Sequence, residues 1–487
     1  MYILAIYQGD FEMKLVGRKK EQDLLLQCLN SKRPEFLVVY GRRRIGKTYL
    51  IKEFFNYFFS FYATGVANAN TRSQLRLFNE ALQEYGCSEK KIPTDWFEAF
   101  KRLKELLQND NINRDPISGK RVIFLDELPW MDTAKSDFKS ALDYFWNSWA
   151  SSQDDLLLIV CGSATSWIID NLLASTGGFY NRITRQIHLS PFSLAECAAL
   201  CSLNELGLTK QQLIDCYMVF GGVPYYLNLL DKRMSLVQNI DNLIFNENGQ
   251  LHYEYEQLFK SLFKKANKHV AIIEAMAKRN VGVLRTELAS VKEIGDGESL
   301  TNALKELEQC GFIRKYKNLA KEKSGYFYQI IDPFTLFCIT HLNQENIRSW
   351  AKYFNTPSYF SWAGNAFEIV CLNHIGQIKA SLGISGIDSS EYSWRSKAKK
   401  GGAQIDLLID RADGVINLCE MKHTIDEFVI DSEYEKKLLH KVEVFRTETK
   451  TNKAVHVTMI TSNTLAHNTY SNIISNEITG DMLLKEI

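Results

Sequence analysis

The stretch "FLVVYGRRRIGKTYLIKEFF", residues 36–55, joins an apolar run, a glycine-bounded loop and an amphipathic segment. Its first five residues are β-branched, aliphatic or aromatic, which is typical of a strand buried on both faces. Gly41 to Thr48 match the spacing GxxxxGK[ST], and apolar residues then recur at helical spacing. A strand, a loop and a helix in this order are the context that a phosphate-binding P-loop requires. The stretch therefore predicts a parallel α/β domain with a nucleotide site.

The loop residues are expected to divide the work of phosphate binding. Glycines let backbone N–H groups curl around phosphates, and the following helix N-terminus adds partial positive charge. Lys47 is expected to reach the β- and γ-phosphates of ATP, and the Thr48 hydroxyl to help hold Mg²⁺. A chance match to the motif is the alternative. Nucleotide contacts are predicted for Gly41, Arg42, Arg43, Arg44, Ile45, Gly46, Lys47, Thr48 and Tyr49.

Two further strand ends supply polar residues. "RVIFLDELPWM", residues 121–131, reads as a buried strand followed by an acidic pair. Asp126 is predicted to bind Mg²⁺ through water, and Glu127 to polarise the attacking water. A second buried strand ends at Ser163. That serine could sense the γ-phosphate or could cap the next helix, and the sequence leaves both alternatives open.

An arginine-containing segment, "YNRITRQIHLSPFS", leads into the last strand of the predicted domain, around residues 186–189. Arg182 and Arg185 are candidates for a cationic group near the γ-phosphate, either within one chain or from a neighbouring subunit. The second case would make the protein a homo-oligomer. The alternative for each arginine is an ordinary surface position.

Together these motifs resemble the archaeal-type ATPase family of prokaryotes, which is allied to AAA+ and STAND proteins. The resemblance covers roughly residues 14–235 and depends on the order of "VGRKKEQDLL", "GRRRIGKT", "FLDE", "CGS", "NRIT…LSPFS" and "FGGVPYYL". It implies ATP binding and hydrolysis, with Pro224 in a helical lid near the adenine. A helix-breaking loop at the Gly222–Pro224 stretch is equally compatible with the sequence.

The middle of the chain reads as three helices followed by two strands around a polar turn, which is a winged-helix pattern. Its third helix, residues 299–310, carries acids and no arginine. Because DNA phosphates would repel those acids, we favour a packing or regulatory role over sequence-specific DNA reading. Arg314, Lys315 and Lys317 could still contact a phosphate backbone.

The last third reads as a helix that begins near Trp362, three strands, a helix and a strand, the common core of restriction-endonuclease-like folds. Many archaeal-type ATPases carry a C-terminal domain that resembles PD-(D/E)xK nucleases. By that resemblance Asp406 matches the aspartate, while Glu420 and Lys422 match the ExK pair. Glu368 matches a helical acid found in many members. Ile405 stands where the pattern usually has proline.

The chemistry of such a site explains these residue types. Two carboxylates share a Mg²⁺ ion, and a lysine orients water or stabilises the charge of the transition state. Asp406 can face Glu420 only if about five residues, 411–415, connect the two strands, because side chains alternate along a strand. A neighbouring basic run could hold a phosphate backbone, although a solvated loop is the alternative: Arg395, Lys397, Lys399 and Lys400.

Composition sets the remaining bounds. The 487 residues are 45% hydrophobic and 24% charged, with a formal net charge of +1, so nucleic-acid binding would depend on local patches. Ten cysteines without CxxC pairs favour a reducing compartment. No apolar run approaches membrane-spanning length, so we expect a cytoplasmic protein without a membrane partner. Met13 is an alternative start to Met1.

These observations predict a multidomain α/β protein that binds and hydrolyses ATP with Mg²⁺ and whose nucleotide state controls a Mg²⁺-dependent nuclease-like domain acting on DNA or RNA. One alternative is a nucleotide-dependent switch or scaffold with an inactive nuclease-like domain, and another is a winged-helix DNA-binding regulator. The predicted domains are a P-loop ATPase core at residues 14–192, a helical lid at 193–264, a winged helix at 265–335 and a restriction-endonuclease-like domain at 336–487.

Overall fold

The chain divides into two compact units, residues 1–190 and 191–487. The first boundary lies two residues before the predicted end of the ATPase core. The subdivision of the second unit into three domains stays a prediction. No helix of the described residues is long and apolar enough to cross a membrane. The computed structural model describes residues 15–174, 179, 181–263, 266–279, 282–317, 326–342, 349–396, 398 and 401–487.

The first unit contains a parallel sheet with the strand order β2-β3-β4-β1-β5. The strands are β1 (Glu35–Tyr40), β2 (Phe61–Thr64), β3 (Arg121–Asp126), β4 (Leu156–Gly162) and β5 (Arg185–His188). The α-helices are α1 (Lys19–Asn30), α2 (Lys47–Phe54), α3 (Thr71–Glu84), α4 (Trp96–Leu107), α5 (Leu128–Met131), α6 (Phe138–Ser148) and α7 (Thr165–Ile168). A 3₁₀ turn (Ala150–Ser152) and a π-helical turn (Ile169–Leu173) complete the unit.

Strand β1 is buried on both faces, as its continuous apolar run predicts. Phe36 and Val38 belong to one hydrophobic core, whereas Leu37 and Val39 belong to another. Because successive side chains of a strand point to opposite faces, the sheet separates these two cores. The central strands are therefore fixed between two layers of apolar side chains, and their carboxyl ends meet at one edge of the sheet.

The second unit begins with short helices that match the helix-patterned region predicted for residues 194–262. Ser193 and Thr209 each form a capping box, so side chains satisfy the first N–H groups of two of these helices. The helices are α8 (Leu194–Leu203), α9 (Lys210–Phe220), α10 (Pro224–Leu227), α11 (Leu236–Ile240) and α12 (Glu254–Leu262), with a π-helical turn at Asp241–Phe245.

The middle part of this unit contains the predicted three helices and hairpin. It adds a two-residue strand, β6, that the sequence did not indicate, and the strands lie in the antiparallel order β6-β8-β7. The predicted turn at residues 319–324 lies outside the described residues. The elements are α13 (Ala266–Ala277), β6 (Val283–Leu284), α14 (Arg285–Ala289), α15 (Glu298–Gln309), β7 (Ile313–Lys317) and β8 (Tyr326–Ile330).

The last part contains a mixed sheet with the strand order β13-β12-β11-β10-β9. The predicted order of a helix, three strands, a helix and a strand occurs within it, with β13 and further helices added. The strands are β9 (Ser389–Arg395), β10 (Gln404–Arg411), β11 (Val415–Lys422), β12 (Ala454–Thr461) and β13 (Ile474–Thr479). The helices are α16 (Pro333–His341), α17 (Trp350–Tyr353), α18 (Pro357–Asn373), α19 (Ile375–Ser381), α20 (Ser432–Thr449) and α21 (Gly480–Leu483), with a 3₁₀ turn at Thr469–Ile473.

One predicted helix boundary is wrong. The helix that bears Glu368 was expected to begin near Trp362, but α18 begins at Pro357. Thr356 caps it by accepting a hydrogen bond from the N–H of Tyr359, and proline suits the first position because its missing N–H needs no partner. Glu368 consequently lies in the second half of the helix.

Candidate functional site

The P-loop occupies the edge of the first sheet where β1 ends. Gly41 adopts a φ of +144°, and a Cβ at that position would collide with the carbonyl oxygen of Leu189. Gly46, with a φ of +88°, forms the N-cap of α2. The buried Lys47 donates hydrogen bonds from Nζ to the carbonyl oxygens of Gly41 and Arg42 at 2.9 and 2.8 Å. The lysine therefore lies within the curve of its own loop.

A carboxylate and a hydroxyl meet beside this loop. Thr48 Oγ1 donates to Asp126, at 3.1 Å from Oδ1 and 2.9 Å from Oδ2. Asp126 is buried at the end of β3, and burial raises its pKa above the ordinary value. Hard oxygen donors of this kind suit Mg²⁺, which proteins hold through few side chains and several waters. The pair fits the predicted metal role.

Glu127 and Ser163 form the second polar contact at this edge. Glu127 has a φ of +46°, which marks a sharp turn after β3. Ser163 Oγ donates to the Glu127 carboxylate at 2.9 Å from each oxygen, and the Ser163 N–H donates to Oε2 at 3.2 Å. The capping alternative for Ser163 is wrong, because Ala164 is the N-cap of α7 and no side chain caps it. Ser163 instead orients Glu127.

The strand register places Arg182 at the opposite edge of the sheet. The Thr184 N–H donates to the carbonyl oxygen of Phe36, at the start of β1, whereas Gly41 follows the end of that strand. Arg182 precedes Thr184 and is exposed. This placement does not favour a contact between Arg182 and a phosphate bound to its own chain, so its role toward a neighbouring subunit stays a prediction.

Other predicted nucleotide contacts differ in exposure. Arg42 and Ile45 are buried, whereas Arg43 and Tyr49 are exposed. Pro224 is the first residue of α10 in the second unit, and its predicted role near the adenine stays a prediction.

Sequence reasoning missed one residue that supports the loop. The buried Arg18 donates from Nη2 to the carbonyl oxygen of Ile45 at 3.3 Å. It lies in the "VGRKKEQ" lead-in that precedes α1, far from the loop along the chain. The contact connects the segment before α1 to the P-loop. Because the two segments are far apart along the chain, only a family pattern could have indicated it.

The C-terminal hairpin has the predicted register. Strands β10 and β11 pair from Leu407 with Cys419 to Asp410 with Ile416. This is the register that the sequence required, although β10 ends at Arg411 and β11 begins at Val415, so the connection is the three residues 412–414 and not the predicted five or so. The next position along this register sets Asp406 opposite Glu420, so the two side chains share a face of the sheet.

Asp406 also lies at a bulge on its other side. The register between β10 and β9 shifts between Ile405 and Leu408. Ser393 Oγ donates to the backbone carbonyl oxygen of Asp406 at 2.6 Å, and Gln404 Nε2 donates to Asp406 Oδ1 at 2.6 Å. Bulges re-aim side chains and are common beside functional sites.

Both carboxylate oxygens of Glu420 are engaged by neighbours. Lys441 Nζ lies 2.7 Å from Oε2, and Lys422 Nζ lies 3.1 Å from Oε1. The Tyr434 hydroxyl donates to Oε1 at 2.7 Å. Burial opposes ionisation of Glu420, but the two lysines outweigh it and lower the pKa of the carboxyl group below its ordinary value.

The pKa values of the other two acids, Glu368 and Asp406, are shifted upward, which favours their protonated forms. Burial, together with the charge of Asp406, raises the pKa of Glu368 to about 8, against the attraction of Lys422. Burial likewise raises the pKa of Asp406 above its ordinary value. The charges of Asp406, Glu420 and Lys422 all act on Glu368, and the roles predicted for these residues stay predictions.

Convergence does not make a metal site. In the part of the chain that the structure describes, no group of three or more His, Cys, Asp or Glu side chains could hold a metal ion. The predicted metal set of Glu368, Asp406 and Glu420 therefore does not fit a metal as arranged, because Lys441 occupies the position beside Glu420 that a cation would take. Lys422 and Lys441 neutralise the charge of the Glu420 carboxylate instead.

Sequence reasoning missed Lys441 and Tyr434. A signal was present, since Tyr434, Leu438 and Lys441 recur at helical spacings of four and three and share one face of α20. Of the predicted basic run, Arg395 is exposed at the end of β9, while residues 397, 399 and 400 lie outside the described residues.

Comparison with known proteins finds similarities to the first part of the chain. The model of an ATPase domain family, predominantly from Archaea, matches residues 15–230. The chain is 25% identical over 338 residues to an uncharacterized protein of Methanocaldococcus jannaschii, MJECL04, covering 67% of this chain and 68% of that protein. It is 46% identical over 39 residues to the uncharacterized ATP-binding protein MJ0423 of the same organism, covering 8% of this chain and 66% of that protein.

Two solved structures are also similar to this chain. A Walker-type ATPase of Pyrococcus abyssi has a TM-score of 0.47 at 18% identity, covering 68% of this chain and 97% of that one. The ORC2 protein of Aeropyrum pernix, in ADPNP–ADP complexes, has a TM-score of 0.42 at 15% identity, covering 69% and 96%.

The P-loop geometry and the family match together define an ATPase domain. Residues 15–230, less than half of the chain, match the model of that family. The P-loop geometry and this match support nucleotide binding by this part of the chain.

The Ser163–Glu127 contact yields a first prediction. In Ser163→Ala, Glu127 loses the hydroxyl that fixes its carboxylate, so we expect the rate of ATP hydrolysis to fall about tenfold while nucleotide affinity stays within twofold. Steady-state turnover and equilibrium nucleotide titration measure the two effects. Ser166→Ala is the matched control, because the Ser166 hydroxyl is buried and has no hydrogen-bond partner in the described structure. Equal turnover in both variants would contradict the role of Ser163.

The neutral state of Glu368 yields a second prediction. Between its ordinary pKa of 4.5 and about 8, the unfolded chain ionises Glu368 while the folded chain keeps the proton, so folded stability falls as the pH rises. Glu368→Gln removes this loss. We expect the variant to exceed the native protein in stability by about 4 kcal/mol at pH 8 and to converge with it near pH 4.5.

Denaturant unfolding at several pH values measures this difference. Glu443→Gln, an exposed change on the helix that carries Lys441, is the control and should show no such pH dependence. A Glu368→Gln variant whose advantage is independent of pH would contradict the proposed proton.

Proposed function

We propose that the protein is an ATP-dependent switch in which ATP binding and hydrolysis by the first unit control a second unit that acts on DNA or RNA. Residues 265–335 serve as a winged helix in this proposal, and residues 336–487 as a domain of restriction-endonuclease-like fold. The single observation that carries the nucleic-acid part is that Glu368, on α18, is acted on by the charges of Asp406, Glu420 and Lys422, which lie on the paired strands β10 and β11.

The residues at the carboxyl ends of β1, β3 and β4 support a specific division of roles in ATP binding and hydrolysis. When bound, ATP with Mg²⁺ supplies the phosphoryl group and the cation that neutralises its charge. Thr48 and Asp126 would hold the metal. Lys47 would exchange its two carbonyl partners for phosphate oxygens. Glu127 would accept a proton from the attacking water, with its carboxylate fixed by Ser163.

The state of Glu420 supports binding over cleavage in the C-terminal domain. Its carboxylate is already neutralised by Lys422 and Lys441, and breaking a buried ion pair by removing one partner is costly. A metal would have to displace Lys441. We therefore favour a nuclease-like domain that binds nucleic acid and responds to the nucleotide state.

Mg²⁺-dependent cleavage is the second candidate function. The observation that favours it is the hairpin register, which sets Asp406 opposite Glu420 as the nuclease pattern requires. Lys422 lies on the same strand and belongs to the same cluster.

Two substitutions test the ATPase roles. We expect Lys47→Ala to abolish ATP binding, because the loop loses its phosphate-contacting cation. We expect Glu127→Gln to bind ATP normally and to stop hydrolysis, because the amide cannot accept the proton from water. Fluorescent-nucleotide titration and phosphate release measure binding and turnover. Lys52→Ala, on the same helix as Lys47, should retain both activities; hydrolysis by Glu127→Gln at the native rate would overturn the assignment of the base.

A cleavage assay separates the two functions of the C-terminal domain. Purified protein with ATP and either Mg²⁺ or Mn²⁺ is incubated with single-stranded and duplex DNA and with RNA. We expect no cleavage, since Lys441 neutralises Glu420. Cleavage that disappears in Asp406→Ala and persists in Asp413→Ala, a change in the exposed turn of the same hairpin, would establish the nuclease instead.

A further inference from the structure

Glu127, which follows β3, has a backbone conformation that residues other than glycine rarely adopt. Its φ of +46° and ψ of +44° lie in the left-handed region. Such a conformation costs free energy and persists only where the surrounding structure determines it. Ser163 fixes the carboxylate of Glu127. Other contacts must therefore fix the backbone of the turn that Glu127 begins.

The segment after β2 packs directly against this turn. The Gly65 N–H donates to the carbonyl oxygen of Asp126 at 2.9 Å. A Cβ on Gly65 would collide with the carbonyl oxygen of Glu127, so the absence of a side chain lets the two backbones touch. The position of Glu127 consequently depends on where the segment after β2 lies.

A buried glutamine on α3 joins that segment to the turn. Gln74, which is only 2% exposed, donates from Nε2 to the carbonyl oxygens of Val66 at 2.6 Å and of Trp130 at 2.8 Å. Its Oε1 accepts a hydrogen bond from the Val66 N–H at 3.2 Å. Both ends of the amide group are thus engaged, since the nitrogen faces two carbonyl oxygens and the oxygen faces an N–H group.

The residue that Gln74 holds is itself hydrogen-bonded to Glu127. The Trp130 N–H donates to the carbonyl oxygen of Glu127 at 3.0 Å. The hydroxyl groups of Thr71 on α3 and Thr133 after α5 lie 2.5 Å apart and form a second contact between the same segments. The start of α3 therefore holds the chain on which Glu127 lies.

We infer that Gln74 is a positioning residue for ATP hydrolysis: it holds the backbone of the Glu127 turn, while Ser163 holds the Glu127 carboxylate. The inference rests on the proposed function, in which Glu127 accepts the proton of the attacking water. A general base must lie within hydrogen-bond distance of that water, so a displaced turn slows the chemical step. The three bonds of Gln74 all go to backbone groups outside the P-loop, so ATP affinity does not depend on them.

Gln74→Met tests the inference in the full-length protein. Methionine has nearly the length and volume of glutamine but makes none of the three hydrogen bonds. We expect kcat for ATP hydrolysis to fall about tenfold, while KM and the Kd for ATP stay within twofold of the native values. Phosphate release measures kcat and KM, and fluorescent-nucleotide titration measures Kd.

Asn79→Leu is the matched control, because Asn79 is a buried amide on the same helix and is also 2% exposed. Asn79 donates to the carbonyl oxygen of Lys90 at 3.3 Å and accepts from Arg102 at 2.9 Å, so these contacts lie away from the Glu127 turn. We expect Asn79→Leu to lose stability in denaturant unfolding as Gln74→Met does, but to keep kcat within twofold of the native value. The comparison separates positioning from general stability.

A double variant tests whether Gln74 acts through Glu127. Ser163→Ala already releases the Glu127 carboxylate, so adding Gln74→Met to it should lower kcat by a further factor of less than about three. A further fall of about tenfold would mean that Gln74 and Ser163 act independently, and it would overturn the action of Gln74 through Glu127.

Native kcat in Gln74→Met, or equal falls of kcat in Gln74→Met and Asn79→Leu, would also overturn the inference. Gln74→Glu is the second variant if Gln74→Met does not fold. It keeps the acceptor for the Val66 N–H and loses both donors, so at least the same fall in kcat is expected.

Failure of this inference differs from failure of the proposed function. If only the inference fails, the native protein hydrolyses ATP, Glu127→Gln does not, and Gln74→Met retains the native kcat. If the proposed function fails, either the native protein does not hydrolyse ATP or Glu127→Gln hydrolyses it at the native rate. The second outcome removes the inference as well, because Gln74 then has no catalytic base to position.

Discussion

Burial of one sheet on both faces is the constraint on which the ATPase unit depends. The alternating side chains of β1 supply two cores at once, so a slip of one residue would move each set of side chains into the other core. The carboxyl ends of β1, β3 and β4 are consequently fixed at one edge. Thr48 and Asp126 come from separate segments, as do Ser163 and Glu127, and this edge brings each pair within hydrogen-bond distance.

The C-terminal cluster consists of Glu368, Asp406, Glu420 and Lys422, and it depends on a different constraint. The charges of its buried side chains must be balanced by their neighbours. Glu368 avoids the cost of ionisation by keeping its proton, whereas Glu420 ionises because Lys422 and Lys441 stand beside it. Asp406 has a hydrogen bond from Gln404 and the more distant charge of Arg314. Similar carboxyl groups thus take different states because their neighbours differ.

Local sequence patterns were sufficient to predict those features that depend only on residues close together along the chain. The P-loop needs only eight residues in order, and the hairpin register follows from loop length and the two-residue period of a strand. Ser163 could not be decided from its own segment, because its partner Glu127 lies 36 positions earlier. The start of α18 was misjudged because the cap at Thr356 precedes the apolar pattern that marks the helix.

Non-local placement explains why two further roles could not be decided from the sequence. The sequence around Arg182 looks favourable for a phosphate contact, but the parallel register to β1 decides which edge of the sheet it occupies. The metal prediction considered only the acids and Lys422 of the nuclease pattern. Lys441 approaches Glu420 from a helix 21 positions later, and it changes what the same acids can bind.

The second unit cannot be understood as independent modules joined end to end. Arg314 belongs to the middle part, yet its guanidinium is held by Gln329 of its own hairpin and by Ser393 of the C-terminal sheet. A boundary drawn at residue 335 would remove from the C-terminal domain a cation that acts on Asp406. The electrostatic state of the convergent acids is therefore a property of both parts together, and movement of the hairpin would change the charge beside Asp406. Such a dependence gives the middle part a physical means of controlling the C-terminal cluster.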